Sequence, residues 1–383
     1  MYMGSDSLKG RIRYGMVGGG EGAFIGAVHR MAARLDDSWE LVCGAFSRNA
    51  ENSRRSGAAL HLPPERSYAD YTTMMAREAA LPVEQRMQCV VIVTPNSTHW
   101  PIARAALAQG FHVLSDKPAT ATLAECRELA DAVQRSGLQY GLTHPYTGYP
   151  MIREARARVA RGDLGIVRKV LVEYTQGWLA APIEKDNRQA AWRLDPAEAG
   201  ASCCMGDIGV HAFNLAEFVS GLTVRELCAE LRSVVAGRRL DDDGTAMLRF
   251  DGGAAGVLVA SQVCIGDENN LRLRIYGEKA SLDWQQMEPN SLWWRALNAP
   301  AQLLRTGAAG TGAEAAASYR IPSGHPEGYI EAFANLYREF AVQIRSGKPS
   351  AVPGITAALR GMAFVDTTVA SSAAGAQWRE LPR

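Results

Sequence analysis

The glycine-rich stretch near the N-terminus constrains the fold more than any other part of the sequence. An apolar run at residues 12–17, typical of a buried strand, leads into Gly18, Gly20 and Gly22, and a helix-like pattern follows from about Gly26. A strand, a tight glycine turn and a helix N-terminus can cradle a dinucleotide pyrophosphate, because free backbone N–H groups point at the anion and glycine leaves room for it. The strict G-x-G-x-x-G spacing is not met, so the stretch alone is equally compatible with a structural turn.

Composition and charge narrow the class of partner. Of the 383 residues, 47% are hydrophobic and 21% are charged, which is ordinary for a soluble chain long enough for two domains. The formal net charge is +1, with Lys and Arg scattered, which offers no electrostatic footprint for nucleic acid or an anionic membrane. The sequence therefore predicts a small-molecule partner.

The cysteines and the hydropathy pattern predict a cytoplasmic location. The seven cysteines form no C-x-x-C pair, and several lie in apolar runs, where reduced cysteine behaves as a small hydrophobe. Residues 1–10 lack the apolar core of a signal peptide, and no run approaches the roughly 18 apolar residues of a membrane span.

Strand-like and helix-like segments alternate through the first part of the chain. Repeated βα units of this kind predict a doubly wound parallel sheet over residues 1–145, and hence an α/β fold. The predicted buried strands lie at residues 12–17, 40–46, 89–93, 111–114 and 138–143.

Residues 146–383 have a different texture. Short consecutive strands between residues 167 and 284 predict a mixed or antiparallel sheet, one face of which could pair subunits. Residues 296–318 are rich in Ala and Gly and predict a long variable loop. Helices are predicted at about 326–345 and 353–374.

The residues that end the predicted strands are candidates for cofactor contacts. In a βαβ unit, a carboxylate after the second strand bonds the ribose 2′-hydroxyl and repels a 2′-phosphate. Ser47 and Arg48 stand there instead, and the arginine fork favours NADP, although a solvated loop arginine is an equal alternative. The strand at 89–93 is followed by further candidates at the ligand-binding edge: Thr94, Pro95, Asn96 and His99.

Lys117 is the first candidate for the chemistry, and Asp116 and Lys117 are also predicted to contact the cofactor. Lys117 lies between Asp116 and Pro118 after the strand at 111–114, and the proline fixes the local backbone. The ammonium is therefore carried on a rigid position near the expected nicotinamide. Taken alone, a surface lysine in a turn is the more ordinary outcome.

Asp207 and His211 form a second candidate group. If the segment from Asp207 is helical, the two side chains fall at positions i and i+4 on one face and point into one cleft. Such a pair can hold a substrate hydroxyl and take its proton. The alternatives are a helix cap with a packing histidine, or a metal pair, which lacks a third ligand nearby.

Together these motifs resemble the Gfo/Idh/MocA oxidoreductase family. The glycine loop, T-P-N-x-x-H at 94–99, Asp116-Lys117-Pro118 and G-D-x-G-x-H at 206–211 follow the family's order over nearly the whole chain. The joint order is far more specific than any single motif.

The resemblance implies a Rossmann domain, a bound NAD or NADP, and a sugar, inositol or related polyol as substrate. It also implies a C-terminal α/β domain at 146–383, whose open sheet commonly makes homodimers or homotetramers. In the family, the lysine and the later aspartate and histidine line the active site, and here these are Lys117, Asp207 and His211.

The chain departs from the family pattern at two points. Asp116 replaces the usual glutamate, a shortening that keeps the charge and could shift Lys117. The glycine loop is also lengthened, and residues 21–25, among them Phe24 and Ile25, are predicted to project towards the nicotinamide end and to shape the substrate pocket.

Six residues are further candidates for substrate contacts. His144 and Tyr146 follow the last Rossmann strand and should enter the cleft. Trp178, Trp192 and Arg193 could stack on a sugar and donate hydrogen bonds to it. His325 precedes a predicted helix and could reach the substrate. For each, linker geometry or packing is the structural alternative. The candidates are His144, Tyr146, Trp178, Trp192, Arg193 and His325.

These residues predict reversible hydride transfer between a carbinol carbon and nicotinamide. His211 would accept the hydroxyl proton, Lys117 would stabilise the oxyanion, and Asp207 would orient the hydroxyl or the imidazole. Lys117 as the proton acceptor is an open alternative. A glycosidase that uses tightly held NAD for transient oxidation and a non-catalytic NAD(P)-binding sensor are the competing functions. Substrate stereochemistry and reaction direction have no signal in the sequence.

Overall fold

The computed structural model describes residues 10–382. The expectation about a signal peptide at residues 1–10 therefore falls almost entirely outside the described residues. Within the described range, no helix has both the length and the apolar character needed to cross a bilayer.

The first sheet has five parallel strands in the order β2-β1-β3-β4-β5. These strands are β1 (Ile12–Gly18), β2 (Trp39–Ala45), β3 (Cys89–Val93), β4 (His112–Asp116) and β5 (Tyr140–Thr143). The helices that connect them are α1 (Phe24–Leu35), α2 (Ala50–Ala59), α3 (Tyr71–Ala79), α4 (His99–Ala108) and α5 (Leu123–Ser136).

The central strand β3 shows why this part of the chain forms a parallel sheet. Its sequence is Cys-Val-Val-Ile-Val, and all five residues are buried. Parallel strands with helices on both faces have no solvent side, so a continuous apolar run suits them and an alternating pattern does not. The predicted doubly wound parallel sheet is confirmed.

The second sheet has nine strands in the order β13-β12-β11-β10-β6-β9-β8-β7-β14, and β6 and β9 are its parallel pair. Its strands are β6 (Val167–Thr175), β7 (Val224–Arg232), β8 (Asp243–Phe250), β9 (Ala255–Ser261), β10 (Asn270–Gly277), β11 (Ala280–Gln285), β12 (Ser291–Ala296), β13 (Gln302–Arg305) and β14 (Arg379–Glu380). The remaining helices are α6 (Pro150–Ala160), α7 (Arg188–Arg193), α8 (Pro196–Ala199), α9 (Val210–Ser220), α10 (Ala313–Ala316), α11 (Tyr329–Ser346) and α12 (Ile355–Ala373). The predicted mixed sheet in this part of the chain is therefore confirmed.

One face of the second sheet carries the core. In β8, for example, Ala246, Leu248 and Phe250 are buried, whereas the alternate residues Met247 and Arg249 are exposed. The buried face packs against α6 and α9, and the other face is open in this single chain. The alternation is the period of two that a sheet with one covered face requires.

Helix α11 returns to the first sheet. The Tyr337 hydroxyl lies 2.7 Å from the Nδ1 atom of His29 and forms a hydrogen bond with it. The Trp39 indole N–H donates to the Tyr337 backbone carbonyl at 2.8 Å. Phe333 and Phe340 join the same apolar cluster as β1. The division into residues 1–145 and 146–383 stays a prediction, and this helix of the second segment completes the core of the first.

Some local predictions need correction. Residues 296–318 are not one loop, because β13 and α10 lie within them. Strand β12 and helix α6 were not predicted from the sequence. The helix predicted from about 326 begins at Tyr329. Short or strongly buried elements carry little periodicity, so sequence alone detects them poorly.

Candidate active site

The glycine loop after β1 adopts backbone conformations that side chains would not tolerate. Gly18, Gly19 and Gly22 have φ of +85°, +71° and +83°. A Cβ atom at Gly18 would lie 2.7 Å from the Val93 carbonyl oxygen, and one at Gly20 would lie 2.8 Å from that of Phe46. The loop is thus pressed against the ends of the neighbouring strands, which leaves its outer side to a ligand.

The start of α1 offers unused donors to that ligand. Ala23 stands at the N-cap and supplies no side-chain hydrogen bond to the first turn. The first N–H groups of a helix have no partner within the helix, so they and the helix dipole favour an anion here. Arg30 donates to the Gly19 carbonyl at 2.7 Å and fixes the loop. These residues fit a dinucleotide pyrophosphate.

Gly26 packs directly against the backbone of the glycine loop. A Cβ atom at Gly26 would lie 2.3 Å from the Cα atom of Gly19. We expect Gly26→Ala to lower the free energy of unfolding by about 2–3 kcal/mol and to weaken cofactor binding, because backbone must move apart. Gly22→Ala, where a Cβ atom meets nothing within 4 Å, should cost only about 1 kcal/mol for its left-handed φ. Thermal unfolding and cofactor titration of both variants check this, and an equal loss in the two would contradict it.

A cavity of about 270 Å³ lies beside the glycine loop, where the adenosine half of a dinucleotide would be expected. Two carboxylates that sequence reasoning missed, Asp70 and Glu198, also line it. Asp70 caps α3, and its hydrogen bonds from Thr72 and Thr73 lower the pKa of its carboxyl. The predicted cofactor residues that line this cavity are Gly18, Ser47, Arg48, Thr94 and Pro95.

A larger cavity of about 610 Å³ opens at the carboxyl ends of the first sheet and is closed by the second sheet. Both parts of the chain therefore contribute to one site. The predicted residues that line it are Phe24, Ile25, Thr94, Asn96, Asp116, Lys117, Tyr146, Trp178, Trp192, Arg193, Asp207 and His211.

Lys117 and Asp207 form the charged centre of this cavity. The Lys117 Nζ atom donates to the Asp207 Oδ1 atom at 2.7 Å and to the Asp207 carbonyl at 2.5 Å. Arg193 and Gln262 donate to the other carboxylate oxygen at 3.1 and 2.9 Å. Burial opposes ionisation of Asp207, but the charges of Arg193 and Lys117 and these hydrogen bonds hold the pKa of its carboxyl well below the ordinary value. The carboxylate therefore stays ionised.

Asp116 holds Lys117 in place despite being shorter than glutamate. Its Oδ1 atom accepts from the Lys117 backbone N–H at 2.9 Å and from the Thr143 hydroxyl at 2.8 Å. The bond joins the ends of β4 and β5 at the point where Lys117 leaves the sheet. Lys117 reaches Asp207 with aspartate in this position.

His99 lies behind the cavity and does not line it. It is buried, and its ring nitrogens are 2.7 Å from the Pro118 carbonyl oxygen and 2.8 Å from that of Thr94. It thus joins two loops that do line the cavity. Its predicted cofactor contact would be indirect in this arrangement.

The segment around Asp207 is helical in an unexpected form. Residues Met205–Gly209 make one π-helical turn, and α9 begins at Val210. A π turn inserts an extra residue and re-aims the side chains before it, and such turns are frequent at functional sites. Asp207 and His211 both line the cavity. The prediction assumed an α-helical i, i+4 spacing, but Asp207 lies within the π-helical turn.

His211 is paired with His144. Their Nδ1 atoms are 3.0 Å apart, and the ring of Tyr146 packs edge-on against His211. Burial, reinforced by the charge of Lys117, lowers the pKa of His144 to about 3 and holds the pKa of His211 well below its ordinary value. Both imidazoles are therefore neutral near pH 7. His144 does not line the cavity, in contrast to its prediction as a substrate contact.

An aromatic and cationic wall faces the charged centre. The Arg193 guanidinium lies 4.3 Å from the ring centre of Trp192 and 5.8 Å from that of Trp178. Because Arg193 also bonds Asp207, it links the wall to the charged centre. Phe24, which also lines the cavity, is 68% exposed.

Several lining residues were missed by sequence reasoning. Tyr329 and Phe333 come from α11 and carry no local motif. Asn269 accepts from Gln176 at 2.6 Å, and Gln176 accepts from the Trp178 indole at 2.9 Å, so these three lining residues form a chain of hydrogen bonds. Gln189, four residues before Arg193 on α7, had a detectable signal in that spacing. The other missed residues are Tyr174, Ile208, Glu268 and Gln286.

His325 was predicted to contact the substrate, but it lies outside both cavities. It lies in an exposed turn before α11, with its Nδ1 atom 3.1 Å from the Pro322 carbonyl oxygen, and it does not line either cavity. The turn that precedes α11 faces solvent, so the structure does not bring this histidine to the site.

Comparisons with known proteins bear on both parts of the chain. A model described as an oxidoreductase family with an NAD-binding Rossmann fold matches residues 12–144, and one described as the GFO/IDH/MocA C-terminal domain matches residues 152–283. The uncharacterized oxidoreductase YfiI of Bacillus subtilis (strain 168) is 32% identical over 393 residues, with 100% of both chains covered.

Solved structures agree along the whole fold. An inositol dehydrogenase homolog from Azotobacter vinelandii, complexed with NAD+, has a TM-score of 0.95 at 36% identity, covering 99% of this chain and 100% of that one. A structure of an inositol dehydrogenase homolog from Azotobacter vinelandii complexed with NADH and myo-inositol has a TM-score of 0.91 at 34% identity, covering 97% of this chain and 98% of that one. With both segments matched and a relative aligned end to end, the chain belongs to the Gfo/Idh/MocA family of NAD-binding oxidoreductases.

Proposed function

We propose that this dehydrogenase transfers a hydride between NAD and a hydroxyl-bearing carbon of a cyclic polyol, an inositol or a closely related sugar. One observation carries the proposal. Lys117, Asp207 and His211 converge on a cavity of about 610 Å³ at the carboxyl edge of the Rossmann sheet, where ligands of open α/β sheets bind.

The roles of the three residues follow from their surroundings. An ammonium has three donors, and two of those of Lys117 are used on Asp207, which leaves one for a substrate oxygen. His211 is neutral, so its Nε2 atom accepts the hydroxyl proton. Lys117 stabilises the negative charge that develops on the oxygen, and Asp207 holds Lys117 in position. The nicotinamide, when bound, supplies the hydride acceptor or donor.

The remaining lining supports a neutral, hydroxyl-rich substrate. Lys117 and Arg193, the cations that line the cavity, both form ion pairs with Asp207, and Asp116 and Glu268 line it as well, so no excess of positive charge favours a phosphate or carboxylate on a ligand. The amides of Gln176, Asn269 and Gln286 also line the cavity and supply hydrogen-bond donors and acceptors. The relative complexed with NADH and myo-inositol supports the same class of substrate.

We propose NAD as the preferred cofactor. Arg48 favoured NADP in the sequence, but Asp70 and Glu198 line the same cavity. Two carboxylates against one guanidinium disfavour the added charge of a 2′-phosphate. The NAD+ and NADH complexes of the Azotobacter homolog support this choice.

Absorbance at the reduced-nicotinamide band tests function and cofactor together. Purified protein is mixed with NAD or NADP and a panel of inositols, aldoses and glycosides. We expect reduction of cofactor with at least one cyclic polyol, and kcat/KM at least tenfold higher with NAD than with NADP. Glycoside cleavage without net reduction would replace the proposal with the glycosidase, and cofactor binding without either reaction would favour the sensor.

We further propose that two or four copies associate through the open face of the second sheet. That face carries large apolar side chains, and Met247, Tyr276, Trp293 and Leu303 are each at least 38% exposed in the single chain. Large apolar side chains exposed on one sheet face suit an interaction surface. Light scattering should give a mass of two or four chains, and a monomer at micromolar concentration would exclude it.

We also propose a cytoplasmic, reducing location. All seven cysteines lie within the described residues, all are free thiols, and six are buried. The buried thiols have raised pKa values where burial dominates, as at Cys89 and Cys204, which suits a packing role.

A further inference from the structure

The contact between His211 and His144 has no part in the roles given above. His144 follows β5 and lies behind His211, on the side away from the cavity, and its exposed fraction is 1%. The two Nδ1 atoms are 3.0 Å apart, and the ring planes are 86° from parallel. Two nitrogens this close require a proton between them, because two facing lone pairs would repel each other.

The pair has two arrangements, since a neutral imidazole carries one N–H. When the shared proton belongs to His211, its Nε2 atom presents a lone pair to the cavity and can accept a proton. When it belongs to His144, the Nε2 atom of His211 carries a hydrogen and can only donate. Which histidine holds the shared proton therefore decides whether His211 can act as a base.

The far end of the pair is not anchored. The Nε2 atom of His144 is buried and has no hydrogen-bond partner among residues 10–382. Each arrangement leaves this atom unsatisfied, once as a donor and once as an acceptor. The position of the shared proton is therefore decided at the cavity. A substrate hydroxyl whose oxygen accepts from Lys117 donates its hydrogen to the Nε2 atom of His211, which selects the arrangement with the shared proton on His211.

We propose that His144 is a positioning residue that accepts the Nδ1 proton of His211 and so presents the Nε2 atom of His211 as the base. The proposal rests on the dehydrogenase function proposed above. As the substrate O–H bond breaks, its proton forms the Nε2–H bond of His211, and the Nδ1–H bond of the resulting imidazolium stays directed at His144. A buried cation that donates to a neighbouring imidazole is better stabilised than a solitary one.

The other groups around the pair do not supply this acceptor. Lys117 and Asp207 face His211 from the cavity side and are bonded to each other. Tyr146 and Tyr174 pack around its ring, with centroid distances of 4.9 and 6.3 Å, and their hydroxyls bond to each other. Among residues 10–382, His144 is the hydrogen-bond partner of the Nδ1 atom of His211.

Two substitutions of nearly the same shape isolate the hydrogen bond. In His144→Asn the Oδ1 atom can take the place of Nδ1 and accept, whereas His144→Leu fills similar space and cannot. We expect the leucine variant to lose about 30-fold in kcat for polyol oxidation and the asparagine variant less than about fivefold. The KM for polyol and the dissociation constant for NAD should change less than about threefold in both. In the leucine variant, the acid limb of the pH–rate profile should move to lower pH, because His211 loses the acceptor that favours its protonated form.

A second readout needs no turnover. In protein labelled with ¹⁵N at its seven histidines, the proton between two imidazoles should give a far-downfield ¹H resonance coupled to ¹⁵N. The resonance should be present in the wild type and absent from His144→Leu and from His211→Asn. Its absence from the wild type, or equal losses of kcat in the two His144 variants, overturns the proposal. A wild type that shows the resonance but oxidises no polyol instead overturns the proposed function.

Discussion

Lys117→Met is expected to lower kcat for polyol oxidation about 1000-fold, close to 4 kcal/mol of transition-state stabilisation. Methionine keeps most of the length of the side chain but removes the ammonium that lies 2.7 Å from the Asp207 Oδ1 atom. The donor for the developing oxyanion is lost, and such donors are worth about 100-fold to 1000-fold or more. NAD affinity should change less than about threefold, because the phosphate cradle lies on the glycine loop. Steady-state kinetics and a cofactor titration measure both quantities.

Two further variants separate this chemical role from a loss of structure. Lys279→Met removes a lysine in an exposed turn between β10 and β11 and should leave kcat unchanged. Lys117→Arg retains a cation against Asp207 and should keep more activity than the methionine variant, although its planar fork fits the geometry poorly. If Lys117→Met retained a tenth of the wild-type kcat, the assigned role of Lys117 would be wrong.

Acidification below pH 6.5 is expected to destabilise the protein steeply, because three histidines are buried in neutral form. They are His29, His144 and His211. Burial lowers the pKa of His29 to about 4 and that of His144 to about 3, and it holds the pKa of His211 well below its ordinary value. Below about pH 6.5 the unfolded chain binds protons that the folded chain does not, so stability is present above this pH and is lost as pH falls. Each such group removes about 1.4 kcal/mol per pH unit until its folded pKa is reached.

Urea unfolding at pH 7.5, 6.0 and 5.0 measures this loss. His29→Asn should reduce the slope by about one proton, since it removes one buried titrating group that lies outside the active site. His325→Gln changes an exposed histidine and should leave the slope unaltered. A free energy of unfolding that stays flat between pH 7 and 5 would show that these histidines are not buried in neutral form.

Local motifs were sufficient for much of the site because the chemistry there depends on short stretches of chain. The glycine loop, the residues after β3 and the Asp116-Lys117-Pro118 segment each lie at a strand end, and parallel strands bring such ends to one edge. Lys117 and Asp207, 90 residues apart, were expected in one site from motif order, and they form an ion pair. Of the lengthened loop, Phe24 and Ile25 line the cavity, whereas Glu21 pairs with Arg55 instead.

Other parts of the site had no local signal. Tyr329 and Phe333 reach the cavity because α11 packs on the first sheet through Tyr337 and its neighbours. His144 and His325 were both candidate substrate contacts in the sequence, yet one is buried against His211 and the other faces solvent. Asp70 gave no sign that it would lie beside Arg48 in a common cavity.

The sequence by itself determined the doubly wound sheet, the glycine cradle and the family to which the chain belongs, because these follow from residues close together in the chain. Tertiary structure alone decided which histidine lies behind His211, which carboxylates line the smaller cavity beside the glycine loop and which aromatic residues line the larger cavity. Those contacts join residues that are far apart in sequence, and burial, which sets their charge states, exists only once the two sheets and α11 have packed together.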